Sequence, residues 1–263
     1  MSHADTSPPR AAPRIGVVSG RYPASEFDAY VNHRAYCHRH GYTYIYCNWP
    51  TGEQNRYMNK LAYVRAYYDL FDYLFWIDDD AFFMDLESGL EAFLPTGEEF
   101  LSICQSPTNK AIHTYISSGQ FVLRCDEVGR SFIDAVPQVD LAKVRDWWTQ
   151  ELGYFTGGDQ DAMVYLLKED HRFAHYAHHE FRAFNSRYED LVSGDPVFVL
   201  HFTGTVPVKR SNYVLAQKRL ARGPSLLPSA EAERWHLVDQ AQGLRQRLRG
   251  AVERRIAGLL RGR

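Results

Sequence analysis

The sequence predicts an α/β fold, with a mostly parallel sheet flanked by helices, and three observations support this prediction. Short apolar runs rich in branched and aromatic residues, which are typical of buried parallel strands, alternate with helical patterns. The first three segments read as strand, helix and strand, and such a βαβ unit requires a parallel sheet. The apolar run that begins at Tyr73 leads directly into three aspartates, and parallel sheets bind ligands at the carboxyl ends of their strands.

The composition indicates one folded domain. With 263 residues, 45% of them hydrophobic and 14% aromatic, the chain can bury one substantial core. A formal charge of −2 and a pI near 6.6 give no general reason to expect nucleic acid as a partner. Four widely spaced cysteines without a CxxC pair argue against a zinc or redox motif and suit a reducing compartment. Since neither a membrane span nor a signal peptide is recognisable, a cytoplasmic location is expected.

The amino-terminal part of the chain supplies the elements that precede the aspartates. Residues 1–13 contain prolines, serines and Arg10 without apolar periodicity, so they are predicted to be disordered, and the folded domain is expected over residues 14–223. Within it the patterns predict a strand over Arg14–Gly20, a helix over Ser25–His40 that Gly41 ends, a strand over Tyr42–Cys47 and a helix over Met58–Phe71.

Asp78, Asp79 and Asp80 crowd three carboxylates at the end of a buried strand. Like charges there repel one another and lose solvation, so a bound cation is the simplest way to stabilise them. If the strand continues through them, its period of two places Asp78 and Asp80 on one face and Asp79 on the other. Carboxylate oxygens suit Mg²⁺ or Mn²⁺, whose remaining positions bind substrate phosphates, so the pattern predicts a metal site and a diphosphate ligand. The alternative is an aspartate cluster that caps a turn.

Two cations lie on the predicted helix before this strand. The buried face of that helix is expected to consist of Leu61, Val64, Tyr68 and Phe71, which recur at helical spacing. Lys60 and Arg65 lie off that face. They are either ordinary solvated charges or cations that reach back to a diphosphate near Asp78.

Further strands are predicted over Phe100–Gln105 and up to Arg124, and a helix over Asp126–Val136. Ser117, Ser118 and Gly119 precede the second of these strands in a predicted loop. Such small residues allow a ligand to approach the backbone closely, although a plain turn is the simpler interpretation.

Two later segments place polar residues at the ends of regular elements. Asp159 follows two glycines and is predicted as the N-cap of a helix, which by itself requires no ligand. A second buried strand carries His201 at its carboxyl end, where Gly204 permits a tight approach and Lys209 lies close behind. A purely structural histidine is the alternative.

Residues 224–263 have a different composition and are predicted to form a basic amphipathic tail. An apolar helical stripe comprises Leu237, Ala241, Leu244, Leu248, Val252 and Leu259. Between Arg245 and Arg263 there are seven arginines and one acid, a pattern typical of a helix on an anionic membrane surface. Arg255 interrupts the stripe, so docking onto the domain itself or onto a partner helix is the alternative.

The ordered set of motifs from about Arg14 to Arg210 resembles the GT-A fold glycosyltransferases. The most similar group is glycosyltransferase family 34, which contains fungal galactosyl and mannosyl transferases and plant xyloglucan xylosyltransferases; family 8 is the next nearest. The motifs that carry the resemblance are His40-Gly41-Tyr42, Lys60, the Asp-X-Asp of Asp78 and Asp80, the Gly119 segment, Asp159-Gln160-Asp161, Phe184-Asn185-Ser186 and His201-Phe202-Thr203-Gly204. The implied fold is a Rossmann-like, nucleotide-diphospho-sugar transferase sheet.

The resemblance also implies a role for each candidate residue. Asp78, Asp80 and His201 would hold Mn²⁺ or Mg²⁺ against the diphosphate of a nucleotide sugar. Gln160 would lie beside the anomeric carbon, while Asp159 or Asp161 orients hydroxyl groups. The remaining contacts to the nucleotide sugar would come from Lys60, Arg65, Asp79, Ser117, Gly119, Gly204 and Lys209. Family members often have Asn in place of Ser117, which is a departure on the donor side.

The implied function is a metal-dependent, retaining transfer of a hexose or pentose to a glycan or lipid-linked acceptor. The tail suggests that this takes place on the inner face of a membrane, with residues 237–263 on its surface. A nucleotidyltransferase on a similar sheet and a non-catalytic module that binds carbohydrate or a membrane surface are the alternatives.

Overall fold

The computed structural model describes residues 12–107 and 113–235. Its strands are β1 (Ile15–Gly20), β2 (Thr43–Cys47), β3 (Tyr73–Ile77), β4 (Ala81–Phe83), β5 (Leu101–Cys104), β6 (Ser117–Arg124), β7 (Tyr176–His179) and β8 (Val199–His201). Its α-helices are α1 (Ala29–His40), α2 (Asn59–Tyr67), α3 (Glu127–Ala135), α4 (Leu141–Trp147), α5 (Asp159–Glu169), α6 (Tyr188–Ser193) and α7 (Val206–Leu220), and residues 229–235 are also helical. Short 3₁₀ helices cover Arg56–Met58, Tyr68–Leu70, Leu90–Phe93, Val136–Gln138, Gln150–Leu152 and His171–Phe173.

Six strands form a central, mostly parallel sheet in the order β2-β1-β3-β6-β5-β7. Strand β6 is the antiparallel member, because it pairs antiparallel with both β3 and β5. The carboxyl ends of β1, β2 and β3 therefore lie at one edge of the sheet, and β6 begins at that edge. The predicted fold class is confirmed.

Apolar side chains cover both faces of this sheet, as the near-continuous apolar strands predict. On one face Val18, Leu74 and Trp76 pack with residues of α2, α3 and α5. On the other face Val17 and Phe75 pack with α1 and the small strands β4 and β8. Alternate residues of one strand thus enter opposite cores, which is the period of two expected of a strand buried on both sides.

Strands β4 and β8 form a separate antiparallel pair beside the central sheet. Side chains of helix α1 bind the backbone of β4. Asn32 Nδ2 donates to Phe83 O over 2.9 Å, and Asn32 Oδ1 accepts from Phe83 N over 2.7 Å. His33 Nε2 lies 2.7 Å from the carbonyl of Ala81. These buried contacts fix the chain immediately after the three aspartates.

Several element boundaries differ from those that the sequence predicts. Helix α1 begins at Ala29 instead of Ser25, because residues 21–28 form a loop at the sheet edge. The predicted helix Met58–Phe71 is divided into α2 and a 3₁₀ turn that ends at Leu70. The predicted Ser117–Gly119 loop is instead the start of β6, where Ser117 pairs with Cys104 of β5 and Gly119 O accepts from the amide of Asp78, directly after β3.

The packed domain continues beyond residue 223. Leu227 lies in the core beside α1, and Ser225 O accepts from Asn32 Nδ2 over 3.2 Å. Trp235 packs against the same core, with its ring 5.4 Å from that of His38. The predicted disordered residues 1–11 and the amphipathic stripe that begins at Leu237 lie outside the described residues. Among the described helices, none combines the length and apolar character needed to cross a membrane.

Candidate metal centre

The three aspartates form a turn between β3 and β4. Strand β3 ends at Ile77, and the amide of Asp78 donates to Gly119 O of β6 over 2.8 Å. The amide of Ala81 then donates back to Asp78 O over 3.1 Å, which closes the turn. The sequence interpretation placed Asp78 and Asp80 on one face of a continuing strand. They do lie together, but the cause is this turn.

Asp78, Asp80 and His201 each present one ligand atom to a common point. Three such atoms lie within 4.8 Å of one another. His201 Nε2 is 3.2 Å from Asp80 Oδ1 and 3.8 Å from Asp78 Oδ2. The antiparallel pairing of β4 with β8 sets Ala81 opposite His201, so the small sheet brings these distant residues together. Two carboxylates and one imidazole are a donor set that suits a divalent cation such as Mn²⁺.

Neighbouring side chains bind the other polar atom of each of these three residues. Trp76 Nε1 donates to Asp78 Oδ1 over 2.8 Å. Lys209 Nζ binds Asp80 Oδ2, and Asn185 Oδ1 lies 3.0 Å from His201 Nδ1. Asp80 Oδ1 is buried and has no hydrogen-bond partner among the residues that the structure describes. A buried carboxylate oxygen without a partner is costly, so the arrangement fits a cation at the common point.

The protonation states also suit a cation. Burial by itself raises the pKa of Asp80, but the neighbouring imidazole of His201 and the Lys209 ammonium outweigh it, so the pKa lies below its usual range. Burial lowers the pKa of His201 from its ordinary value of 6.5. At neutral pH the carboxylate is therefore ionised and the imidazole is neutral, which are the forms that bind metals.

Gly119 allows the histidine to reach the aspartates. A Cβ atom at this position would overlap Cε1 of His201 and would lie 3.0 Å from its Nδ1 and 3.2 Å from Asp78 Oδ2. Any other residue would displace the imidazole. The close approach predicted for Gly119 is thus made to another side chain of the site.

Lys60 is a buried cation beside the aspartates. Its Nζ donates to Ser118 O over 2.9 Å and lies 3.3 Å from Asp78 Oδ1 and 3.1 Å from Asp159 Oδ2. Burial by itself lowers the pKa of Lys60, but the charges of Asp159 and Asp78 outweigh it and raise the pKa above its ordinary value. Lys60 therefore remains charged and links the aspartate turn to helix α5.

The amino-terminal turn of α5 carries the Asp159-Gln160-Asp161 motif. Gly158 is the N-cap, so the prediction that Asp159 caps the helix is wrong. Gly158 has no side chain to bind the free amides, and the side chain of Asp161 binds them instead. Asp161 Oδ2 accepts from Thr156 Oγ1 over 2.9 Å and from the amides of Gly157 and Gly158. Asp159 is consequently free to pair with Lys60.

Gln160 lies in the first turn of α5, close to the strand that carries Gly119. Its Oε1 accepts from the amide of Ser118 over 3.2 Å. This contact brings Gln160 to the residue that also binds Lys60, and so to the side of the site that adjoins Asp78.

A cleft of about 610 Å³ adjoins the aspartates at the carboxyl edge of the sheet. It extends along the loop after β1 and along α2, and its cations are Arg21, Arg56, Lys60, Lys209 and Arg210. Aromatic rings also line it: Tyr22, Phe27, Tyr57, Tyr63 and Trp76. A cleft with many cations and flat rings suits a ligand that has both phosphate groups and a planar base.

Asp79 lies in the wall of this cleft. It hydrogen-bonds to Ser25, and burial together with the Asp80 charge raises its pKa to about 7. Gly204 also lines the cleft, in a left-handed conformation (φ +98°) that favours glycine. Ser117 is buried at the start of β6, opposite Cys104.

The structure does not bring Arg65 to the aspartates. Its side chain is 62% exposed, and its Nε lies 3.1 Å from Asp134 Oδ1 of α3. Positions five residues apart on a helix differ in direction by about 140°. Since Lys60 is directed toward Asp78, Arg65 is directed away from it.

Sequence reasoning missed several residues that surround the site. Arg21 and Arg56 line the cleft, and the position of Arg21 directly after β1, at the carboxyl edge of the sheet, is a signal that could have identified it. Asn185 and Arg187 lie behind His201 in a segment without regular structure. The resemblance includes Asn185, but the sequence offers no reason to place it against a histidine.

A comparison with family models relates part of the chain to one family of transferases. The model of the galactosyl transferase GMA12/MNN10 family matches residues 22–101, a span that includes the cleft loop, Lys60 and the three aspartates. None of the curated proteins matches the chain.

Two solved structures align with the chain at low sequence identity. A glycosyltransferase involved in the glycosylation of the major capsid of PBCV-1 aligns with a TM-score of 0.55 and 13% identity, over 76% of this chain and 99% of its own. The glycosyltransferase GlyE of Streptococcus pneumoniae TIGR4 aligns with a TM-score of 0.49 and 14% identity, over 86% of this chain and 65% of that one. The first likeness shows that the fold is one that a glycosyltransferase adopts.

Proposed function

We propose, for a chain that resembles the GMA12/MNN10 galactosyl transferase family, that the protein is a metal-dependent glycosyltransferase using a nucleoside diphosphate sugar. The observation that carries this proposal is the convergence of single ligand atoms from Asp78, Asp80 and His201 beside the cation-lined cleft. Divalent ions of this kind are commonly held by one or two carboxylates together with substrate phosphates. A nucleoside diphosphate supplies such phosphates and a base for the aromatic wall.

The charges at the site match the charge that sugar transfer creates. Breaking the bond between the sugar and the diphosphate builds negative charge on the leaving group and positive charge on the anomeric carbon. A metal held by Asp78, Asp80 and His201 would act as a Lewis acid toward the leaving diphosphate. Arg21, Arg56 and Lys209 of the cleft supply further positive charge for the diphosphate.

Polar oxygens on the α5 side suit the sugar. Gln160 cannot accept a proton, so its carbonyl dipole stabilises positive charge at the anomeric carbon without acting as a base. Asp159, paired with Lys60, would orient hydroxyl groups of the donor or the acceptor. As in the retaining enzymes that the chain resembles, attack from the same face as the leaving group is expected, with retention of configuration.

The acceptor is expected to be a glycan or a lipid-linked molecule on the cytoplasmic side of a membrane. This part of the proposal rests on the basic amphipathic pattern of residues 237–263, which lie outside the described residues. Binding of the full chain to vesicles of anionic lipid, compared with a chain that ends at Trp235, tests it. Equal binding of both chains would contradict membrane contact through the tail.

Analysis of the products tests the reaction. Wild-type protein is incubated with Mn²⁺ and either a panel of nucleotide sugars or nucleoside triphosphates with a sugar 1-phosphate. The nucleoside diphosphate released from the former and the pyrophosphate released from the latter are quantified. The proposal expects release of a nucleoside diphosphate that is lost in Asp80→Asn and retained in Asp85→Asn, a nearby aspartate whose contacts are with Glu87 and Ser88. Pyrophosphate release would instead indicate a nucleotidyltransferase, and an inverted product by NMR would contradict retention.

A further inference from the structure

Asn185 lies directly behind His201, on the side away from the aspartates. Its Oδ1 is 3.0 Å from His201 Nδ1, and both side chains are buried. His201 Nε2, the opposite ring nitrogen, lies 3.2 Å from Asp80 Oδ1. The imidazole is thus held between an amide on one side and the common point of the ligand atoms on the other.

The orientation of the Asn185 amide is determined by two further contacts. Arg187 Nη1 lies 2.6 Å from Asn185 Oδ1, and because a guanidinium only donates, the atom that faces it must be the oxygen. Asn185 Nδ2 correspondingly donates to Gln105 O over 3.2 Å. If the two amide atoms were exchanged, the Nδ2 donor would face the Arg187 donor, and the Oδ1 acceptor would face the carbonyl of Gln105.

This orientation determines which nitrogen of His201 carries the proton. Since Asn185 Oδ1 can only accept, His201 Nδ1 must donate to it, and in the neutral ring Nε2 then carries the lone pair. The lone pair points toward Asp78 and Asp80, where a metal ligand needs it. A hydrogen-bond partner on the far ring nitrogen is the arrangement that fixes metal-binding histidines.

We propose that Asn185 is a positioning residue that fixes His201 as the Nδ1–H tautomer, with Arg187 fixing the amide of Asn185. The inference rests on the metal site of the proposed function, but the tautomer is a property of the metal-free protein. The two can therefore fail separately. Asn185 lies at the ring nitrogen opposite the one that faces Asp80, and it would act only through the imidazole.

Long-range ¹H–¹⁵N NMR of the metal-free wild-type protein tests the tautomer directly. His201 is identified among the eleven histidines by the signals that disappear in His201→Asn. The proposal expects a protonated Nδ1 and an unprotonated Nε2. A protonated Nε2 would overturn it, whether or not the protein binds Mn²⁺.

Mn²⁺ binding, measured by calorimetry, tests the consequence. Asn185→Leu keeps the shape but removes the acceptor, and it is expected to lose the tautomer preference and to weaken Mn²⁺ binding by about 10- to 100-fold. Asn185→Asp keeps an acceptor for both His201 and Arg187 and is expected to bind within about threefold of wild type. Ser186→Ala is the matched control, because the buried Ser186 Oγ has no hydrogen-bond partner in the described part of the chain.

Wild-type affinity in a folded Asn185→Leu variant would overturn the proposal. If that variant does not fold, the proposal is tested by the wild-type tautomer and by Asn185→Asp. A loss of about tenfold or more in the Mn²⁺ affinity of Asn185→Asp would contradict the proposal. If the wild-type protein itself binds no Mn²⁺, the proposed metal site fails, while the tautomer measurement still tests the role of Asn185.

Discussion

The ammonium of Lys60 lies 3.1 Å from Oδ2 of Asp159, and both side chains are buried. Lys60 belongs to α2 and Asp159 is the first residue of α5, so the pair joins two helices that flank the same face of the sheet. The same ammonium lies 3.3 Å from Asp78 Oδ1. One buried cation therefore links the residues proposed to hold the metal with those proposed to hold the sugar.

Removing this cation is expected to destabilise the domain. Lys60→Met leaves Asp159 buried without its partner, and loss of one member of a buried ion pair costs about 3–5 kcal/mol. Urea denaturation measures the change in the free energy of unfolding. Arg65→Met is the control on the same helix, because the exposed pair with Asp134 is worth at most about 1 kcal/mol. Similar losses in both variants would contradict a special role for the Lys60 pair.

Gly119→Ala tests the close approach between β6 and His201. The added methyl group would overlap the imidazole, so the ring must move away from Asp80. We expect Mn²⁺ affinity to fall at least about tenfold, and overpacking to cost about 1–3 kcal/mol of stability. Gly223→Ala adds the same methyl group where no atom lies within 4 Å, and calorimetry should find its Mn²⁺ affinity unchanged. Normal affinity in Gly119→Ala would show that His201 is not confined by this contact.

Asp161→Ala separates helix capping from chemistry. Loss of the hydrogen bonds to Thr156, Gly157 and Gly158 is expected to lower stability by about 1–2 kcal/mol and to reduce sugar transfer, because Gln160 lies in the same turn. Asp140→Ala removes the N-cap of α4, where Asp140 Oδ1 accepts from Ala142 N over 2.9 Å. It should lose comparable stability and keep its transfer rate. If both variants keep the wild-type rate, the first turn of α5 does not control the reaction.

His33 makes stability depend on pH. Burial lowers its pKa from 6.5 to about 4, so between these values the unfolded chain binds a proton that the folded protein excludes. Stability is therefore lost as pH falls below 6.5, and His33 contributes about 2 kcal/mol of that loss by about pH 5. In His33→Gln, the free energy of unfolding measured by urea denaturation should therefore fall less than in wild type over this pH range, by the contribution of His33.

The exposed His175 provides the control for this measurement. His175→Gln should retain the pH dependence of wild type. The same slope in His33→Gln and wild type would mean that the buried imidazole of His33 does not exclude a proton.

Local patterns were sufficient to predict much of the sheet. The β1-α1-β2 unit and the strand before the aspartates depend on neighbouring residues, and the αL conformation of Gly41 ends α1 as the sequence predicts. The antiparallel direction of β6 could not be predicted, because the direction of a strand in a sheet depends on the chain connections and not on the residues of the strand. Segment 117–119 is predicted as a loop because its residues are small and polar, and only its pairing with β5 shows that it begins β6.

The contacts of the site depend on residues far apart in the chain. Lys60 and Arg65 have similar chemistry on one helix, and only the packing of that helix shows that Lys60 reaches the aspartates while Arg65 pairs with Asp134. Likewise, Asp159 and Asp161 both suit the first turn of a helix. Gly158 can serve as an N-cap without a side chain, so Asp161 at the third position binds the free amides.

The most direct test of the metal centre is thermal stability with nucleoside diphosphates, each measured with and without Mn²⁺, for wild type and Asp80→Asn. A ligand that binds only the folded state adds about 2.7 kcal/mol of stability at one hundred times its dissociation constant. The metal centre requires that one nucleotide raise the melting temperature of wild type only together with Mn²⁺, and that Asp80→Asn abolish this rise. An equal rise without metal, or an undiminished rise in Asp80→Asn, would contradict it.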